Sequence, residues 1–123
     1  MSNQFLDLIH KRRTIYALGK NVEQSPDDLT DLIQQTIRQS PSSFNSQSSR
    51  AVILFNAEHE KFWGLVKAKL KSYAKDEETA AKTSAKMDSF AAGFGTVLFF
   101  EDLEVIKSLQ GQFPSYAESF PVW

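Results

Sequence analysis

The chain has 123 residues, 41% of them hydrophobic and 24% charged, which fits one globular domain with room for a core. Lys and Arg number 14 against 15 Asp and Glu, and the resulting net charge of −1 removes the basic excess that nucleic-acid binding calls for. There is no cysteine, so disulfides, zinc–thiolate sites and cysteine nucleophiles are excluded, and His10 and His59 are too few and too separated for a metal site.

Phe5, Leu8 and Ile9 are spaced i, i+3, i+4 and predict a short amphipathic helix. His10, Lys11, Arg12 and Arg13 fall in its last turn, where a helix favours cations. That placement alone explains the arginines. An arginine pair followed by the hydroxyl of Thr14 can equally grip a phosphate or a flavin edge, because guanidinium presents a planar fork of donors. Ser2 to Arg13 mixes charged and apolar residues without the apolar run of a signal peptide, and the nearly uncharged run Phe90 to Phe100 is too short to cross a bilayer. A soluble, cytoplasmic protein without a membrane partner is expected.

Ser25-Pro26-Asp27-Asp28 is a helix start: a capping serine, proline at the first helical position and acids in the first turn. Leu29, Leu32, Ile33 and Ile37 supply one apolar face, and Pro41 follows the expected end. Then comes S-P-S-S-F-N-S-Q-S-S-R, Ser40 to Arg50, dense in small neutral hydrogen-bonding groups around a lone aromatic, Phe44. Such groups donate and accept without adding charge, which suits a many-edged neutral ligand such as a flavin ring. A solvated turn whose Ser and Asn satisfy their own backbone is the alternative.

Ala51 to Phe55 reads as a strand covered on both faces. Asn56 can cap the next helix, whose acids come early and whose lysines come late, with Phe62, Trp63, Leu65, Val66, Leu70 and Tyr73 as its core positions. Asp76-Glu77-Glu78 opens a further helix that Gly93 and Gly95 break before the strand Thr96 to Phe100. Asp102 caps a last helix through Leu109, ended by Gly111 and Pro114. Two strands do not make a self-sufficient sheet. The last residues, Ser119-Phe120-Pro121-Val122-Trp123, are largely apolar where termini are ordinarily polar. A single domain over residues 1–123, the N-terminal portion of a longer protein, is therefore expected.

R-R-T-I-Y-A-L-G (Arg12 to Gly19), the serine-rich loop, the V-I-L-F strand and F-G-T-V-L-F-F-E together resemble the nitroreductase family, most nearly its short branch of fatty-acid-repression-mutant-like and bacterial nitroreductases. The resemblance implies an α+β, nitroreductase-like fold: a central, mainly antiparallel sheet flanked by helices, here incomplete at the C-terminus. It implies FMN in a cleft of a tight homodimer, with the family's further flavin contacts falling beyond Trp123. Arg12, Arg13 and Thr14 would hold the phosphate, ribityl chain or pyrimidine edge, and Tyr16 stands where the wider family often carries a basic residue. Pro41, Ser42, Ser43, Phe44, Asn45 and Gln47 would come from the other subunit, with Asn45 and Gln47 giving amide hydrogen bonds and Phe44 lining the site. Lys86 matches a flavin-contacting lysine of some relatives. The implied activity is NAD(P)H oxidation, by NADH or NADPH, with reduction of nitro compounds, quinones or similar small acceptors by hydride transfer through the flavin. No side chain need act as acid or base, so no catalytic residue is named. A truncated, non-catalytic interaction or dimerisation module is the competing reading, and a small nucleic-acid-binding domain is a third.

Overall fold

The structure, a computed structural model, describes residues 3–119; the apolar end Phe120 to Trp123 lies outside the described residues. Among the described residues five helices and two strands follow one another as α1 (Gln4–Lys11), α2 (Pro26–Gln39), β1 (Ser49–Phe55), α3 (Asn56–Lys71), α4 (Glu77–Ala91), β2 (Gly95–Glu101) and α5 (Leu103–Gln112). Short 3-10 turns at Ser43–Asn45 and Pro114–Ser119 complete them. The architecture is α+β. No helix among the described residues is long and apolar enough to cross a membrane.

The helix starts form where the sequence places their caps. Ser25 Oγ accepts from the Asp28 N–H at 3.1 Å, with Pro26 in the first turn. An Asp76 carboxylate oxygen takes the Thr79 N–H at 2.7 Å, and Asp102 takes those of Glu104 and Val105. Each satisfies an amide that has no partner inside its helix.

Several details differ from the sequence expectations. α1 stops at Lys11, with Arg12 as its C-cap in extended backbone, so Arg13 lies outside the helix. Asn56 is the first residue of α3, at φ 52°, rather than a residue preceding it. Gly111 does not end α5: the helix continues to Gln112, where the N–H of Phe113 closes the last turn on the Leu109 carbonyl at 2.9 Å. The strand expected to be covered on both faces is only half-buried, and Val52 is exposed. β1 pairs with β2 alone, which leaves its outer edge and part of its surface open among the described residues.

The chain divides into two compact units. The first comprises residues 1–21 and 60–94, namely α1, the extended segment after it, most of α3, and α4. Trp63 joins α3 to α4, its ring 5.2 Å from that of Phe90 and edge-on to Phe62 at 4.9 Å. Lys67 pairs with Asp88 at 2.8 Å, and Met87 is buried. Leu65, Leu70 and Tyr73, expected in the core, are exposed. The Lys20 ammonium donates to the Gly93 carbonyl at 3.1 Å, fastening the extended segment to the end of α4, where the helix dipole favours a cation.

The second unit comprises residues 22–59 and 95–123, and its centre is the antiparallel β1–β2 pair, in register from Ser49↔Glu101 to Phe55↔Gly95. Gly95 is required at its end of the ladder. A Cβ there would stand 2.9 Å from the Leu54 carbonyl oxygen and 2.8 Å from the Phe55 ring. Ile106 of α5 is buried, as are two polar residues, Ser48 and His59. The His59 Nδ1 lies 2.7 Å from the Thr96 hydroxyl, and each buried polar side chain of the described residues has a hydrogen-bond partner. That is the condition for tolerating polar groups away from water.

Candidate functional site

Within the second unit an open cleft of about 420 Å³ lies along the serine-rich loop. Pro41, Ser42, Asn45 and Gln47 line one wall. Ile37, Arg38 and Ser40, from the end of α2, line another, and Ser49, Arg50 and Phe99 close it from the strands. Four of the residues singled out from sequence thus share one cavity.

The loop keeps its shape through its own polar groups. The Ser42 carbonyl accepts from the Asn45 N–H at 3.0 Å, and its hydroxyl oxygen accepts from the Gln47 N–H at 3.0 Å. The Gln47 amide nitrogen donates to the Asn45 side-chain oxygen at 3.3 Å. Phe44, Asn45 and Gln47 all have positive φ, at 54°, 52° and 52°. Asn tolerates this conformation, whereas for a bulky residue such as Phe it costs on the order of 1–3 kcal/mol. Three such residues in a four-residue stretch hold two carboxamides at the cleft in a fixed arrangement.

Phe44 itself turns onto Phe113, with the rings stacked at 4.9 Å, and onto Tyr116 at 5.6 Å. It lines a second, shallower cavity with Glu104, Val105 and Leu109, while Ser43 is exposed beside it. Arg12, Arg13, Thr14 and Tyr16 occupy the exposed extended segment of the first unit. Neither Arg12 nor Arg13 has a side-chain hydrogen bond or ion pair among the described residues. Lys86 is exposed on α4.

The cleft also contains residues that sequence reasoning passed over. Arg38 presents a second guanidinium in the last turn of α2. Arg50 is fixed by three oxygens: its Nη1 donates to the carbonyls of Gln47 at 2.8 Å and Ser49 at 3.0 Å, and its Nη2 to Asp102 Oδ2 at 3.3 Å. Asp102 lies outside any local window around Arg50, and only the strand register brings it close. No group of three or more His, Asp or Glu among the described residues is placed to hold a metal.

Residues 9–121 match the sequence model of the nitroreductase family. The chain belongs to that family. HBN1 of Saccharomyces cerevisiae is 38% identical over 119 residues, covering 95% of this chain and 58% of its own. Two structures of the nitroreductase CinD from Lactococcus lactis superpose well. The complex with nicotinic acid gives a TM-score of 0.81 at 45% identity, covering 98% of this chain and 60% of CinD. The complex with 4-nitrophenol gives 0.75 at 44%, covering 98% and 59%. The fold is therefore the nitroreductase fold. This nitroreductase-family chain spans about 60% of the length of the relatives it matches.

Proposed function

We propose that this chain belongs to an FMN-dependent NAD(P)H oxidoreductase of nitroreductase type, acting on nitro compounds, quinones or similar small acceptors. The observation that carries the reading is the cleft at Pro41–Gln47. Two carboxamides and the Ser42 hydroxyl, held by unusual backbone, sit beside Arg38 and the exposed ring of Phe99. That donor set fits FMN: neutral amides for the heteroaromatic edge, an apolar ring for its face and guanidinium for its anionic parts. Likeness to CinD, whose structures hold nicotinic acid and 4-nitrophenol, supports small aromatic ligands for the same fold.

When bound, FMN supplies two-electron hydride chemistry between NADH or NADPH and the acceptor. The chain's residues bind and orient. Asn45 and Gln47 offer amide hydrogen bonds to the ring edge, Ser42 a hydroxyl, and Arg12, Arg13 and Thr14 of the other subunit phosphate or ribityl contacts. Tyr16, Ser43, Phe44 and Lys86 are assigned to the wider binding surface, and no residue is assigned as acid or base. The exposed apolar side chains of α1, Phe5 and Leu8 among them, support a homodimer in which two copies complete each site. Residues 1–123 are read as one domain of this cytoplasmic enzyme.

Purified protein should be yellow, bind FMN on titration and oxidise NADH or NADPH when 4-nitrophenol or a quinone is supplied. A colourless protein whose fluorescence titration shows no FMN binding would replace this reading with a non-catalytic interaction module.

A further inference from the structure

We propose that Arg50 is a positioning residue for the cleft, a clamp that sets the direction in which Asn45 and Gln47 present their amides. The inference rests on the proposed flavin reading for its ligand, but its geometry does not depend on that reading. The Gln47 backbone is held at both ends: its N–H by Ser42 Oγ at 3.0 Å, its carbonyl by Arg50 Nη1 at 2.8 Å. Between these anchors Gln47 keeps φ at 52°, a conformation that persists only where its surroundings impose it.

The same nitrogen of Arg50 also holds the Ser49 carbonyl at 3.0 Å, which fixes the point where loop becomes strand. Its other terminal nitrogen meets Asp102 Oδ2 at 3.3 Å. Asp102 is itself immobilised, since its Oδ1 caps α5 and its N–H donates to the Ser48 carbonyl at 2.8 Å. One planar guanidinium thus ties the cleft loop to β1 and to the start of α5. Lysine, a point charge without the fork, cannot hold three oxygens set in these directions.

The experiment compares Arg50→Lys and Asp102→Asn with the unaltered protein. Asparagine keeps an oxygen for the α5 cap and removes both the charge and the acceptor facing Arg50 Nη2. Hydrogen exchange of residues 42–50 is measured without ligand. FMN is then titrated, with visible circular dichroism of the bound flavin as a report on ring orientation. Arg50→Lys should raise exchange in the loop and not in α2 or α4, weaken FMN about three- to tenfold and alter the flavin dichroism. Asp102→Asn should shift all three in the same direction by less. Unchanged loop exchange in Arg50→Lys, or weakened FMN binding with unaltered dichroism, would overturn the clamp. Failure of the unaltered protein to bind FMN would remove the flavin reading and leave the exchange data to decide the clamp.

Discussion

Ser48, fully buried, donates its hydroxyl to Glu101 Oε2 at 2.6 Å, while the neighbouring Ser49 hydroxyl reaches Oε1 at 2.9 Å. One carboxylate therefore satisfies two hydroxyls where the cleft loop enters the sheet. Glu101→Ala leaves the buried donor without its acceptor and should destabilise the protein by about 1–3 kcal/mol. Glu101→Gln retains one acceptor oxygen and should lose less. Urea unfolding of both variants checks the order, and an alanine variant with an unchanged midpoint would refute it.

Gly95→Ala should cost about 1–3 kcal/mol, because the added methyl meets the Leu54 carbonyl oxygen and the Phe55 ring at once. Backbone cannot swing aside as a flexible side chain would. Gly64→Ala, where a methyl meets nothing within 4 Å, serves as the control and should be neutral or stabilising. Equal thermal midpoints for the two variants would contradict the packing seen at the end of the ladder.

Arg12→Ala and Arg13→Ala should each weaken FMN binding by about 1.5–3 kcal/mol, the value of a charge-assisted hydrogen bond to the cofactor. Both side chains are exposed and make no side-chain hydrogen bond or ion pair among the described residues, so loss of fold should not obscure the result. Isothermal titration decides it. Wild-type affinity in both variants would leave Arg12 as a helix C-cap and Arg13 as an ordinary surface cation.

Acid should fray α4 at its start. The Asp76 carboxyl is held below its ordinary value, first by the Thr79 backbone N–H and then by the Thr79 side chain. A depressed pKa means that capping is fully present above the unfolded value, about 3.9, and is lost as pH falls through the folded one. Amide exchange at Thr79 should therefore accelerate on acidification below about pH 4 relative to Asp76→Asn, whose neutral cap does not titrate. Parallel pH profiles for the two proteins would remove the carboxylate from the account.

Much of this fold is readable from local chemistry. Ser25-Pro26, Asp76 and Asp102 announce their helices because capping acts within three residues. Asn45 and Gln47 stand out because carboxamides cluster beside small hydroxyls. The backbone conformation of Phe44 is not legible in the sequence, since its positive φ goes with stacking on Phe113 and not with its neighbours in the chain. The role of Arg50 is hidden for a similar reason: its partner Asp102 is supplied by strand register. Gly111 does not stop its helix because the hydrogen bond from Phe113 to Leu109 outweighs the weak helix propensity of one glycine.

The pairing of Phe55 with Gly95 also has a kinetic side. These residues bracket α3 and α4, so the sheet forms only when a long excursion of chain has returned to its starting point. Contacts between residues distant in sequence carry a loop-closure cost and raise contact order, which slows folding. Arg50 and Asp102 flank the far end of the same ladder, and the Arg50 bridge therefore cannot form before that closure. In refolding, helical signal should accordingly appear ahead of the cleft, and FMN capture should track the slowest phase.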